Sequence, residues 1–458
     1  MSSAATKTNE VAQQHSMIGN VEQDAAASFK RNSHPDAQWF DGAGLGLFMH
    51  FGISSVCGEC DLSWGMMLGD KNRKRDIESY GLFNMSRPLT PKNYWAMAKD
   101  FKAEKFDSEK ILSAARKAGV KYAVLTSKHH DGFALWPSKY GDFNISNFQP
   151  GRDIIKEYVE GCRKAGIKVG LYYSPPDWHF NREFMSFNYG GGDLIAGSAG
   201  RQPTLDMDHK PFTLSRTPEE VAAQKEKYYE LIRGQAEELL SNYGKIDIFW
   251  FDGSANNTIS AARIRELQPS VLINNRGLGY GDFKTPECKF PEKEKVKGWW
   301  WEYCHVGYDG GWGYFNHDGY KPAGWVLAEF VKARSWGGNF LPNYAPDSHG
   351  EMPPVFYKRM EQIKAWMDIH SESVIGTEPG PWPEKSSVPT TVKGNVWYIH
   401  FDYLNDGLAE LNGVEKPKSV KQLRTGEDVP FEFEGGKMKI LLPAPMRTTL
   451  VDVVKVTF

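Results

Sequence analysis

Two adjacent histidines and an aspartate, His129, His130 and Asp131, stand in the segment KHHDGFALWPS. A second aspartate, Asp252, ends the apolar segment IDIFWFDG. Arg276 closes VLINNRG, Glu287 lies in DFKTPECKF, and Glu302 lies in GWWWEYC. Carboxylates, imidazoles and rings in such company could hold a metal, form a buried structural cluster, or seat a polyhydroxylated ligand. Adjacent residues on an extended strand face opposite sides, so His129 and His130 are not expected to ligate one ion without a bend. No HxH or HExxH spacing supports a metal site either. Hydrogen bonding to hydroxyls is simpler, because imidazole can donate at one nitrogen and accept at the other.

Asp252 is the most telling acid. It follows IFWF and precedes Gly253. Poor solvation there raises its proton affinity unless partners stabilise the charge, and Arg276 and the histidines are the available partners. A structural Asp capping a loop is the alternative. Trp64, Trp136, Trp178, Trp250 and the triplet Trp299, Trp300 and Trp301 supply apolar faces near these polar groups. Convergent carboxylates, imidazoles and aromatics make a sugar-hydrolase constellation, in which one carboxylate attacks the anomeric carbon and a second acid protonates the leaving oxygen.

The elements that must position these groups alternate along the chain. GLGLFMHFG, KYAVLTSKHHDGF, IKVGLYYSPPDW, KIDIFWFDGS and VLINNRG read as strands. Helical stretches separate them, among them DSEKILSAARKAGV with Asp107 as its cap and the long TPEEVAAQKEKYYELIRGQAEELLSNYG. Nearly uniform apolar strands in a β-α-β order indicate a parallel sheet buried on both faces. A closed (β/α)8-like barrel fits, with function at the carboxyl ends of its strands; a doubly wound open sheet is the alternative. No Gly-rich phosphate loop follows the first strand.

Beyond that frame, residues 1–35 read as a polar arm, 36–370 as the barrel, and 371–458 as a C-terminal antiparallel β-sandwich joined through EPGPWPEKSSVP. The stretch 191–213 is too long for an ordinary βα loop and is expected either to wall a pocket or to be a surface insertion. A net charge of −2 argues against a nucleic-acid-binding surface. No run is apolar enough to span a membrane. The polar start lacks the apolar run of a signal peptide, which leaves the compartment open: periplasmic or secreted if a leader was removed, otherwise cytoplasmic. Five cysteines, Cys57, Cys60, Cys162, Cys288 and Cys304, do not make a disulfide framework. The CxxC pair Cys57 and Cys60 reads as a local disulfide or two free thiols.

GLGLFMHFGISSV, SKHHDGFALWPSKY, GRDIIKEYVEGCRKAGIKVGLYYS, IDIFWFDG, WWWEYCHVGYDGGWGY and GGNFLPNYAPDSHGEMP together resemble the glycoside hydrolase family 29 α-L-fucosidases, in the family's order. The resemblance implies a retaining exo-glycosidase acting on fucosylated oligosaccharides or glycoconjugates, with no cofactor or metal; a homo-oligomer is compatible with it. It implies Asp252 as nucleophile and His50, His129 and His130 as hydroxyl-binding residues. Trp64 and Tyr172 or Tyr173 match pocket residues, with Trp250 and Glu302 also counted to the binding site, and Arg276 matches a loop arginine near the nucleophile. Glu287 is the first choice for acid/base, with Glu302 and Glu59 in reserve. The sequence departs from the family at two places. His50-Phe51-Gly52 replaces His-Trp-Gly, and Ser63-Trp64-Gly65 replaces Glu-Trp-Tyr. A missing pocket glutamate bears on specificity, and α-L-galactosidase activity or a silent sugar-binding relative are the alternatives.

Overall fold

The computed structural model describes residues 23–68, 89–188, 199–309 and 311–458. Eight strands form one parallel sheet: β1 (Gly46–Met49), β2 (Tyr122–Lys128), β3 (Lys168–Tyr173), β6 (Ile248–Phe251), β7 (Leu272–Ile273), β8 (Phe283–Lys284), β9 (Trp300–Val306) and β10 (Asn339–Asn343). The order is β7-β6-β3-β2-β1-β10-β9-β8, and a parallel bridge from Asn274 to Phe283 brings its two ends together. The sheet is therefore a nearly closed barrel, as the uniform apolar strands predict.

Alternation along each strand separates two apolar clusters. Phe48, Tyr122, Val124, Tyr172, Ile248, Trp250, Leu341 and Cys304 fill the barrel interior. Their neighbours Leu47, Ala123, Leu125, Tyr173, Phe249 and Phe251 face outward, into the layer under the helices. The helices Ser108–Lys117, Ile154–Ala165 and Pro218–Ser241 start where the sequence places caps. Asp107 accepts from the Lys110 amide, and Thr217 and Glu220 form a reciprocal capping box.

Residues 1–22 of the expected polar arm lie outside the described residues. Its last part is not loose: Asn32 donates through Nδ2 to the carbonyls of Pro269 and Val271. Ala37 and Phe40, just beyond, pack into the interior cluster. Polar hydrogen bonding to strand ends thus seats a segment that composition alone marks as solvated.

The stretch around 191–213 falls partly outside the described residues, at 191–198. Its remainder forms the hairpin of β4 (Gly200–Leu205) and β5 (Pro211–Arg216). His209 Nε2 lies 2.9 Å from the carbonyl of Met66, which ties the hairpin to the turn that carries Trp64.

The C-terminal antiparallel sheets have the orders β11-β12-β13-β18-β15 and β14-β17-β16. These strands are β11 (Glu378–Pro379), β12 (Thr390–Lys393), β13 (Val396–Phe401), β14 (Leu408–Asn412), β15 (Ser419–Gln422), β16 (Phe431–Glu434), β17 (Lys437–Leu441) and β18 (Asp452–Thr457). Their inner faces share a core that includes Ile399, Leu411, Met438, Ile440 and Val454. The connecting segment is docked: the Trp336 indole donates to the Trp382 carbonyl at 2.8 Å, and the two rings lie 5.0 Å apart. Among the described residues no helix is long and apolar enough to cross a membrane.

Candidate active site

Asp252 leaves the end of β6 with its amide bonded to the Tyr173 carbonyl at 3.0 Å, which turns its side chain into the barrel mouth. Its carboxylate, 26% exposed, accepts from the Tyr172 hydroxyl at 2.8 Å and from Arg276 Nη1 at 3.0 Å. Burial pushes its proton affinity up, but the Arg276 charge and these two hydrogen bonds win, and the carboxyl is held below the ordinary carboxylate range. His130 Nε2 stands 3.9 Å from Oδ2 and adds to this only when protonated.

Arg276 is itself braced. Its Nε donates to Thr285 Oγ1 at 2.8 Å, its guanidinium lies 4.6 Å above the Trp250 ring, and Nη2 donates to Glu287 Oε2 at 2.6 Å. One planar fork therefore spans the two carboxyls that the sequence singles out as nucleophile and acid. Glu287 is 38% exposed and sits where a bridge pairs it with Cys304 of β9, at the rim rather than in the interior.

Three imidazoles line the opposite wall. His50 Nδ1 lies 2.7 Å from Asn343 Oδ1, His130 Nδ1 lies 2.6 Å from Ser174 Oγ, and His129 Nδ1 meets Ser63 Oγ. Burial lowers the pKa of His50 and of His130 to about 4 and holds that of His129 well below the ordinary imidazole range, so all three are neutral at neutral pH. Two tautomers follow from their partners. Asn343 Nδ2 is committed to the Trp312 carbonyl, leaving Oδ1 as an acceptor for His50 Nδ1–H. The Ser174 hydroxyl donates to the Pro176 carbonyl, so His130 Nδ1–H must donate to it. Nε2 of both rings is then an acceptor.

The expectation that His129 and His130 face opposite sides is corrected. The strand ends at Lys128 after a register irregularity between Thr126 and Lys128, and the chain turns. Both rings consequently face the same region, with centroids 4.1 Å apart. Asp131, their neighbour, turns away and accepts from the Tyr94 hydroxyl at 2.9 Å.

The tyrosine alternative resolves by strand alternation. Tyr172 points into the barrel and onto Asp252, whereas Tyr173 points outward and donates to Gln235 Oε1 at 2.9 Å. Trp64 stands edge-on to Trp178 and His130 at the mouth. Trp250 and Glu302 are not at the mouth. Trp250 is buried beneath Tyr172 and Arg276, and Glu302 is 0% exposed inside the barrel, where it accepts from the Trp250 indole at 2.9 Å. Both fall on inward positions of their strands but below the strand ends, which removes Glu302 from direct sugar contact and from the acid/base role. Glu59 is exposed in the turn between Cys57 and Cys60, and all five cysteines are free thiols.

Trp312 was not singled out from the sequence. Its ring lies 5.2 Å from that of His50, and its amide donates to Asp61 Oδ1 at 2.8 Å. Gly311, with φ +140°, lets this loop press against Asp61. The glycines of GGWGY around a lone tryptophan were the available signal.

His129, His130 and Asp252 offer ligand atoms that all lie within 4.8 Å of one another. Two imidazoles and a carboxylate are a known metal-binding composition. Here the carboxylate already carries a guanidinium and a hydroxyl, and a dication beside Arg276 would be repelled. A neutral ligand with several hydroxyls suits this donor set better.

A family model described as Alpha-L-fucosidase matches residues 11–372. An alpha-L-fucosidase of Dictyostelium discoideum is 28% identical over 441 residues, covering 91% of this chain and 90% of its own length. Human plasma alpha-L-fucosidase is 28% identical over 382 residues, covering 79% and 72%. Among solved structures, alpha-L-fucosidase isoenzyme 1 of Paenibacillus thiaminolyticus is 29% identical with a TM-score of 0.70, covering 92% of this chain and 98% of that one. A Bacteroides thetaiotaomicron alpha-L-fucosidase, solved as a trapped covalent intermediate with 2-fluoro-fucosyl fluoride, shares the fold at a TM-score of 0.71 and 23% identity, covering 95% and 98%.

Proposed function

This chain belongs to the alpha-L-fucosidase family, and we propose that it removes terminal α-L-fucosyl units from oligosaccharides or glycoconjugates with retention at C1. The observation that carries this reading is the guanidinium bridge of Arg276 between Asp252 and Glu287. In the first step an Asp252 oxygen attacks C1, the bond from C1 to the leaving oxygen breaks, and the Glu287 proton moves to that oxygen. The nucleophile must be ionised for this, which the depressed proton affinity of Asp252 supports. In the second step Glu287 takes a proton from water, the water oxygen bonds to C1, and Asp252 leaves as a carboxylate.

Arg276 links the two steps. Ester formation removes the charge on Asp252, so the guanidinium then faces only Glu287, which has just become anionic. The neutral imidazoles complete the reading. Acceptor Nε2 atoms on His50 and His130 suit sugar O–H donors, and the Trp64 and Trp312 rings offer apolar faces for the sugar. The covalent intermediate trapped in the Bacteroides neighbour supports the ester route.

The test is turnover of an aryl α-L-fucoside with the released sugar followed by proton NMR. The α anomer should appear first. Initial release of the β anomer, or turnover of the aryl α-L-galactoside in preference to the fucoside, would replace this reading.

A further inference from the structure

Glu302 has a fully buried carboxyl in the barrel interior. It projects from β9 among Tyr122 of β2 and Trp250 of β6, all essentially inaccessible. Oε1 accepts from the Trp250 indole at 2.9 Å, and the Tyr122 hydroxyl lies near enough to the carboxyl to lower its proton affinity. Among the described residues neither that hydroxyl nor Oε2 has a hydrogen-bond partner. Such a group costs stability, and a leucine of similar volume would be the ordinary filling.

The ring it grips has two dependants. Tyr172 stacks on Trp250 with centroids 5.5 Å apart and an interplanar angle of 17°, and the Arg276 guanidinium lies 4.6 Å over the same ring. Those two residues are the ones that hold Asp252, and Arg276 also holds Glu287. We propose that Glu302 is a positioning residue that fixes the Trp250 indole and, through that ring, seats Arg276 on both carboxyls of the site. The inference rests on the functional reading above for what the carboxyls do, but not for how they are held.

Burial raises the Glu302 pKa to about 7, so at mildly acidic pH it is a neutral acid. Its proton then belongs on Oε2, the oxygen that accepts no hydrogen bond, while Oε1 still accepts from the indole. Glutamine reproduces this arrangement, with its carbonyl on Trp250 and its amide in the place of the protonated Oε2. Leucine removes it. The groups facing Asp252 are Arg276, Tyr172, His130 and, farther off, His50. Those facing Glu302 are Tyr122, Trp250, the buried Cys304 thiol and, at longer range, Arg276. Of all these, Arg276 does most to keep Asp252 ionised, so loosening it should raise the proton affinity of Asp252.

The experiment compares the pH profile of kcat/KM on an aryl α-L-fucoside for wild type, Glu302→Gln, Glu302→Leu and Trp250→Phe. The last keeps a ring under Arg276 but deletes the indole N–H, and it serves if Glu302→Leu does not fold. Glu302→Leu or Trp250→Phe should lower kcat/KM about tenfold and move its acid limb upward by about one pH unit. Glu302→Gln should restore both. A lowered melting temperature with an unmoved acid limb in either disruptive variant would overturn the proposal. Absence of wild-type turnover would instead count against the functional reading. In that case the crystal structure of either disruptive variant decides: Arg276 displaced from Asp252 upholds the positioning role, and Arg276 in place refutes it.

Discussion

Arg276 stands between Asp252 and Glu287, with Nη1 3.0 Å from Oδ1 of the first and Nη2 2.6 Å from Oε2 of the second. It is only 12% exposed, so the charge acts with little screening. Arg276→Gln would leave Asp252 partly buried without its main counter-charge. kcat/KM should fall by about a hundredfold to a thousandfold, and its acid limb should shift to higher pH. An unshifted limb would show that the Tyr172 hydroxyl alone keeps Asp252 ionised.

Glu287→Ala removes the proposed proton donor. Hydrolysis of an aryl fucoside with a poor leaving group should slow by about 10²–10⁴. A substrate with an acidic leaving group should suffer much less in the first step. Azide should then restore turnover by attacking the glycosyl-enzyme, giving a fucosyl azide. If azide has no effect and both substrates keep their rates, the proton comes from another group.

Buried Glu302 makes stability depend on pH in a definite direction. Its folded pKa, raised to about 7, exceeds the ordinary 4.5, so the folded state holds this proton more tightly than the unfolded state. That contribution is complete below about pH 4.5 and is lost as pH rises through about 7, a change on the order of 3 kcal/mol. Glu302→Gln cannot lose it. The melting temperature of Glu302→Gln minus that of wild type should therefore grow between pH 4.5 and 7 and level off above. A difference constant with pH would mean that Glu302 is ionised throughout.

His50 and His130 change the other way. Their folded pKa values, lowered to about 4 by burial, lie below the usual 6.5, so the folded state resists their protonation. Stability from these neutral rings is complete above about pH 6.5 and is lost as pH falls toward 4. Below about pH 4 the Nε2 acceptors vanish as well. His130→Asn should flatten the acid side of the melting curve relative to wild type, which thermal unfolding across pH 4–7 would measure.

Trp312 packs against His50, and its amide is bonded to Asp61 rather than to either carboxyl of the site. Trp312→Ala should raise KM about tenfold while kcat changes little, as expected for loss of an apolar face that binds substrate and transition state alike. A fall in kcat with KM unchanged would instead place the ring in transition-state stabilisation.

Much of this was legible in the residues. Strand alternation in IFWF and LYY is enough to set Tyr172 opposite in facing to Tyr173 and Trp250 to Phe251, though not to say which member of each pair points inward. Asp252 follows by being the first polar residue past such a strand. Three features were not legible because they depend on contacts far apart in sequence. The turn after Lys128 reverses the usual alternation and lets His129 and His130 share a face. The depth of Glu302 along the barrel is set by the register of β9 against β10, where it pairs with Asn339. Ser63, a departure from the family's glutamate, meets His129 only because the turn Leu62–Met66 folds back over the mouth.

The central claim is that Asp252 bonds to C1. Incubation with 2-fluoro-fucosyl fluoride, proteolysis and mass spectrometry of the labelled peptide tests it directly. A single fluorofucosyl adduct should form on Asp252, absent from Asp252→Gly, which should remain folded but inactive toward an aryl α-L-fucoside. An adduct on another carboxylate, or inactivation without any covalent adduct in an enzyme that turns over the fucoside, would contradict the account.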